Sequence, residues 1–203
     1  MKIKYYSLWL VLVCIFVFLL QAVIPGFTDL FLLNQQAYPQ LWRFVTSIFL
    51  HASMGHLFYN MLALGLLGFI LEKLVGSRKF LLIFFASGIF ANLIAVNFYS
   101  ASLGASGAIY GIIGALTIIR PFMMVFAFGV PLPMFGVAIL YVVVNLVQTF
   151  VPSDIGTIAH LSGIVIGFLF GLFLRKKSPK KQKIVISEAY ITDWEKKHLG
   201  LGD

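Results

Sequence analysis

The sequence predicts an all-α membrane protein built from six spanning helices, and three observations predict it. The 203-residue chain is 61% hydrophobic and only 11% charged, which leaves a soluble fold far too little polar surface. Its charges leave long uncharged blocks: Tyr5–Thr28, Phe44–Leu71, Phe80–Ile119, Pro121–Ser153 and Ile155–Leu174. A spanning helix needs about 20 apolar residues, so the third block, roughly twice that length, folds back as a hairpin of two. The third observation is the placement of the cations. With six spans, one side receives Lys2, Lys4, Lys73, Arg78, Lys79, Arg120, Arg175, Lys176, Lys177, Lys180, Lys181, Lys183, Lys196 and Lys197, and the other receives Arg43 alone. That asymmetry is the positive-inside pattern, and it puts both ends of the chain in the cytoplasm. It also explains the net charge of +8 through a membrane surface, with no nucleic acid involved.

The first span is read from about Leu8 to Ile24 and stops at Pro25-Gly26. Its apolar run is long and no small-residue cleavage site follows, so it reads as a span and not as a signal sequence. The segment Phe27–Phe44 lies outside, yet its Phe, Leu, Tyr and Trp content places it in the membrane interface. Span two covers about His56–Leu74 and span three Phe80–Ala95. A turn from Asn97-Phe98-Tyr99-Ser100 through Gly107 leads into span four, Ser106–Ile119. Span five, in the block with Pro131 and Pro133, runs from about Met134 to Phe150. The apolar stretch before it, Phe122–Val130, fits either an interfacial segment or an extension of span five. Span six is Gly156–Leu174. Two regions result: a six-span domain over residues 1–175 and a short basic cytoplasmic tail over 176–203. The basic run Arg175–Lys183 suits anionic headgroups. The tail from Ile184 reads as loosely held helix or coil, with His198 solvated among Glu195, Lys196 and Lys197. Cys14 is the sole cysteine, which excludes an internal disulfide and a cysteine-based metal site; it reads as apolar filler.

Depth gives the first functional signal. Counting upward from the cytoplasmic end of each span at 1.5 Å per residue, Ser106 stands roughly 20 Å above Ile119 and His160 roughly 21 Å above Leu174. Asn60 and His56 stand roughly 18 Å and 24 Å above Glu72. In a hydrocarbon layer about 30 Å thick, four unusual polar residues from three spans share one level below the outer surface. Span four is also short. Ser106–Ile119 covers roughly 21 Å, so it must begin beneath the surface. Non-helical backbone at that depth persists only beside protein or trapped water, so the turn at Gly104–Ser106 is expected to open into a wet cavity.

A serine at a helix start is ordinarily a cap. Here Gly104 and Gly107 clear the space around the hydroxyl, and the free amides at the start of span four suit an oxyanion. A histidine inside a membrane is costly and marks a functional site or an interhelical hydrogen bond. Gly156, Gly163, Gly167 and Gly171 recur along one face of span six, and span four carries Gly107 and Gly111. Small residues at this spacing let helix backbones approach closely, which brings Ser106 toward His160. Tyr110 lies one turn below Ser106, where its ring braces the imidazole. Every acidic residue (Asp29, Glu72, Asp154, Glu188, Asp193, Glu195, Asp203) lies in a loop, a span end or the tail, so no buried aspartate orients the base. The chemistry is that of a dyad, with histidine as general base toward serine. His56 and Asn60, four residues apart, share a helix face, and Asn60 can donate to a developing oxyanion. There is no HExxH, no pair of intramembrane aspartates and no carboxylate beside His51 and His56, so neither a metal nor any other cofactor is expected.

These residues together resemble the rhomboid intramembrane serine proteases, over roughly Pro25 to Gly171. The resemblance rests on Trp42-Arg43 in the first outer loop and on His51, His56 and Asn60 spaced H-x4-H-x3-N. It rests further on Gly104-Ala105-Ser106-Gly107 as G-x-S-G with Tyr110 following, and on Ala159-His160-x-x-Gly163. It implies a compact six-helix, rhomboid-like bundle with Ser106 as nucleophile and His160 as base. It implies His56, Asn60, Gly104 and the Ser106 amide around the oxyanion, with Tyr110 and His51 supporting. It implies transmembrane helices as substrates, cut at a small residue in a segment that unwinds easily. It implies a first outer loop lying in the membrane and a gate at span five and its following loop, which Pro131, Pro133 and Pro152 flank here. An extra cytosolic domain and a seventh span, carried by some relatives, are not expected. A bacterial plasma membrane fits this plan. Two other readings compete. A silent membrane binder of the same fold is expected to lose the serine or the histidine, and this chain keeps both. A small-solute transporter is disfavoured by the missing buried carboxylates.

Overall fold

A computed structural model describes residues 3–127, 129–150, 156–175 and 188–199. Pro152, Asp154 and the basic run beyond Arg175 lie outside the described residues. Helix α1, Tyr6–Val23, opens the chain. Its first turn docks on Glu72, whose carboxylate is fully buried. Glu72 accepts from the amides of Tyr6 and Ser7 at 3.0 and 2.9 Å and from the hydroxyls of Ser7 and Ser77 at 3.0 and 2.6 Å. A buried charge is tolerated only when its lone pairs are met, and an anion is favoured at a helix N-terminus. Glu72 therefore caps a helix 65 residues away in the chain.

The segment after α1 is not an unstructured loop. It holds a short helix, α2 (Phe27–Phe31), a two-residue strand, β1 (Leu33–Asn34), and a helical turn, α3 (Arg43–Thr46). Arg43, 4% exposed, ties them together. It donates to the carbonyls of Asp29 and Leu32 at 2.8 and 2.7 Å and to Gln40 Oε1 at 2.6 Å. Leu30, Tyr38, Leu41 and Trp42 remain exposed, an apolar outer surface of the kind expected for a segment lying in the interface.

Helix α4 (Met54–Ala63) starts at Ser53, whose side chain accepts from the His56 amide. It passes through a π-helical stretch, Leu64–Gly68, into α5 (Phe69–Val75). After α6 (Ser77–Ala95), β2 (Ala101–Ser102) pairs antiparallel with β1 and stitches the next turn to the segment that follows α1. Helix α7 then runs over Ser106–Ile119. The apolar stretch Phe122–Val130 does not extend the following helix. It forms most of a hairpin, β3 (Met124–Ala127) paired with β4 (Val130–Pro133). The reason is local: Pro131 and Pro133 lack amide donors and fix extended backbone, so a helix cannot propagate back through them. Helix α8 (Met134–Thr149) begins at once after Pro133, α9 covers Thr157–Leu174, and α10 covers Glu188–Leu199, where His198 is exposed.

The fold is thus mostly helical. Among the described residues, α1, the continuous rod Met54–Val75, α6 and α9 are long and apolar enough to cross a membrane, and α7 and α8 are shorter apolar helices. Helix α7 is the axis: Gly107 through Leu116 are all buried. A Cβ at Gly163 would strike the Gly107 carbonyl, one at Gly167 the Gly111 carbonyl, and one at Gly171 would lie 2.7 Å from Ile118 Cβ. On the other flank, a Cβ at Gly107 would lie 2.6 Å from Ala91 Cβ. The glycines let α7 and α9 touch backbone to backbone, with small α6 side chains packed against α7 on the other flank, which fixes the register of α7 against α9.

Candidate active site

That register brings the two best sequence candidates together. Ser106 is the first residue of α7 and His160 sits in the first turn of α9. Their Oγ and Nε2 atoms lie 2.7 Å apart. Both are half-buried and line a cavity of about 610 Å³, together with His56, Asn60, Gly104 and Tyr110. This is the cavity expected above the short fourth span.

Each neighbour has a definable place. The Tyr110 ring stacks on the imidazole, with centroids 4.4 Å apart and planes 7° from parallel. Gly104 has φ +126°, a conformation that L side chains rarely adopt. Its amide donates to the Ser47 carbonyl at 2.9 Å, so it holds the turn and is not left free for a ligand. A Cβ there would lie 2.7 Å from the His56 ring, so glycine is what admits His56 to the cavity. The N-cap residue of α7 is Ala105, which offers no side-chain cap and so leaves the first-turn amides to solvent or ligand. Asn60, 7% exposed, directs one Nδ2 hydrogen to the His56 carbonyl at 2.8 Å and retains a second donor. His51 does not line the cavity. It is 1% exposed, packs edge-on against the His56 ring with centroids 5.2 Å apart, and is clamped to α1 by Gln21. The Gln21 amide accepts from the His51 amide at 2.9 Å and donates to its carbonyl at 3.2 Å.

Three contributors escaped the sequence reading. Asn92 on α6 donates to the Phe44 carbonyl and the Ser47 hydroxyl at 2.8 and 2.9 Å, supporting the turn that holds Gly104. Tyr99 Oη accepts from the Ile158 amide at 3.0 Å and so caps the start of α9. Asn145, on α8, lies 2.9 Å from His160 Nδ1 through its Oδ1. The available signal was a lone amide in an apolar span, the same signal that singled out Asn60.

Fold and site together define a multi-pass helical membrane protein that carries a serine–histidine pair in a cavity inside its bundle. The comparisons with known proteins agree. A rhomboid domain model matches residues 38–177. The chain is 35% identical over 133 residues to the rhomboid protease GluP of Bacillus subtilis, covering 63% of this chain and 25% of that protein. It is 32% identical over 146 residues to the putative rhomboid protease YdcA of the same organism, covering 69% and 70%. It is 26% identical over 183 residues to the rhomboid protease GlpG of Haemophilus influenzae, covering 85% and 93%. The chain belongs to the rhomboid family of intramembrane serine proteases.

Proposed function

We propose that this chain is an endopeptidase that cuts transmembrane segments of other membrane proteins, with Ser106 as nucleophile and His160 as general base. The observation that carries the proposal is the 2.7 Å contact between Oγ and Nε2. It lies within proton-transfer reach and joins residues from two helices, 54 positions apart. Ser106 Oγ attacks the scissile carbonyl carbon as its proton passes to His160 Nε2. The carbonyl oxygen becomes an oxyanion facing His56, the spare Asn60 donor and the Ser106 amide. The intermediate collapses, the C–N bond breaks, and the imidazolium returns the proton to the leaving amine. Water then attacks the acyl-enzyme, its proton passing to His160, and as the Ser106 ester C–O bond breaks to release the acid the imidazolium returns that proton to Ser106 Oγ. Gly104 contributes room for His56, Tyr110 the stacked wall under the imidazole, and His51 the wall behind His56.

In this reading α7 and α8 join the four longer helices as spans, giving six over residues 1–175 and a separate tail over 176–203. Helix α7 is allowed to be short because its start opens into the cavity. The chain sits in a bacterial plasma membrane with both its ends cytoplasmic. In this reading a substrate enters beside helix α8, whose Tyr141 lines the cavity.

The test uses purified protein in proteoliposomes with a single-span model substrate. Cleavage and labelling by a serine-directed phosphonate are both expected from the wild type and neither from Ser106→Ala. Cleavage that survives in Ser106→Ala ends the proposal. A folded wild type that neither cuts nor labels would instead be a helix-binding protein of the same fold.

A further inference from the structure

Two residues of the pair are held by α7 and α9, but the imidazole has a second nitrogen, and it faces a third helix. We propose that Asn145 of α8 is a positioning residue for the reaction, converting the serine–histidine pair into a Ser106–His160–Asn145 relay. The inference rests on the protease reading above and specifies how its base is held.

The hydrogen-bond network determines the direction of every link. Asn145 is 1% exposed. Its Nδ2 lies 2.7 Å from the Tyr141 backbone carbonyl and 2.7 Å from Tyr110 Oη. A backbone carbonyl can only accept, so the amide nitrogen must face it. Turning the amide over would place two carbonyl oxygens in contact. With Nδ2 fixed there, Oδ1 is the atom that meets His160 Nδ1, at 2.9 Å. Oδ1 carries no hydrogen, so Nδ1 must be the protonated nitrogen of the neutral ring. Nε2 then presents a lone pair, and it presents it to Ser106 Oγ at 2.7 Å. A backbone carbonyl on α8 thereby dictates which nitrogen on α9 can accept the serine proton. The same Oδ1 continues to accept when Nε2 gains that proton, so the imidazolium is met on both sides.

Tyr110 closes the arrangement. It accepts from Asn145 through its hydroxyl while its ring stacks under the imidazole. Asn145 and Tyr110 thus hold the ring in its plane and set its rotation within that plane. Oδ1 of Asn145 can do this without a negative charge, which suits a site beneath the headgroups where an aspartate is costly. A merely structural amide would need no particular nitrogen of His160 to be protonated. This network does.

The experiment compares two near-isosteric variants of the full chain in proteoliposomes, read with the single-span model substrate. Asn145→Leu removes the acceptor. Asn145→Asp, as the neutral acid favoured beneath the headgroups, keeps an oxygen toward Nδ1 while its O–H donates to the Tyr141 carbonyl in place of Nδ2. The expected result for Asn145→Leu is a fall in kcat of about 10²-fold with KM changed less than about twofold, the mark of an interaction made chiefly beyond the ground state. Asn145→Asp is expected to recover at least tenfold of that loss. Wild-type kcat in Asn145→Leu, equal loss in both variants, or a loss confined to KM overturns the proposal. A measurement on the unmutated protein guards against a variant that fails to fold. In ¹⁵N-histidine-labelled protein, with Ser106→Ala and His160→Ala samples for assignment, neutral His160 is expected to carry its proton on Nδ1. A proton on Nε2 overturns the assignment. Ser106→Ala separates the two levels: if it abolishes cleavage while Asn145→Leu does not, the protease reading stands and only the relay fails.

Discussion

At the scale of single residues, the site is a set of contacts in which small size matters as much as chemistry. Gly104 illustrates it. Its backbone sits at φ +126° and its missing Cβ is where the His56 ring rests. Gly104→Ala therefore meets two penalties, a strained backbone worth about 1–3 kcal/mol and a collision that pushes His56 out of the cavity. The expected outcome is a fall in kcat of about 10- to 100-fold in a protein that remains folded, measured by cleavage of the model substrate beside a thermal unfolding trace. Unchanged kcat would mean that His56 does not act where the geometry puts it. The grouping of Ser106, His160, His56 and Asn60 around one cavity was legible before any coordinates, because each is an odd residue for an apolar span and because the cytoplasmic charges serve as rulers for depth; Gly104 and Tyr110 followed from their spacing about Ser106. Asn145 was not legible. Depth along a helix axis can be counted from sequence, but rotation about the axis and the neighbour across the gap cannot. Its amide could equally have faced any of several helices. The absence of a buried aspartate then read as the absence of any third partner.

At the scale of elements, glycine spacing carries the argument furthest. The four-residue spacing in span six foretold close approach to span four, and α7 and α9 meet backbone to backbone at Gly163–Gly107 and Gly167–Gly111. The Ser106–His160 distance depends on that approach, since the two residues lie on the two helices concerned. Gly163→Ala is expected to cost about 3 kcal/mol or more, because the new methyl meets a backbone carbonyl that cannot swing aside. Activity should vanish with it. Gly55→Ala provides the contrast: a Cβ there meets only Ser53 Oγ at 4.0 Å. Alanine in an open helical site is favourable by up to about 1 kcal/mol. Thermal unfolding in detergent should separate the two by several degrees, with Gly55→Ala at or above the wild type. Equal stabilities would show that the two helices are not in the register described. The hairpin β3–β4 was half legible. Its prolines signalled an interruption, but the apolar character of Phe122–Val130 suits membrane helix and interfacial strand alike, and composition cannot decide between them. Glu72 was read as a boundary charge at the end of span two. Its capping of α1 involves residues 65 positions away, a separation that no local pattern reports.

At the scale of the whole molecule, the question is which way the bundle faces, since the cavity must open toward the side from which substrates are cut. Cations and polar site residues divide the molecule between them. Lys79 lies in the first turn of α6 and Arg120 follows the end of α7, both exposed and both at the end of the bundle away from Ser106. Gln36 lies in the segment that follows α1, exposed, and its neighbour strand β1 pairs with β2 just before the site. The proposed orientation, which follows from the charge bias, puts the first end in the cytoplasm. Cys14 is buried, so Cys14→Ser gives a cysteine-free background without touching the surface. In that background, Gln36→Cys is expected to react with a membrane-impermeant maleimide in intact cells. Lys79→Cys and Arg120→Cys are expected to react only after the membrane is opened. The reverse pattern would turn the cavity toward the cytoplasm. The pair would still be intact, but the substrates would have to be proteins whose cleavable segment lies near the inner leaflet. Orientation therefore decides the class of accessible substrate independently of the chemistry, and one labelling experiment on three exposed positions resolves it.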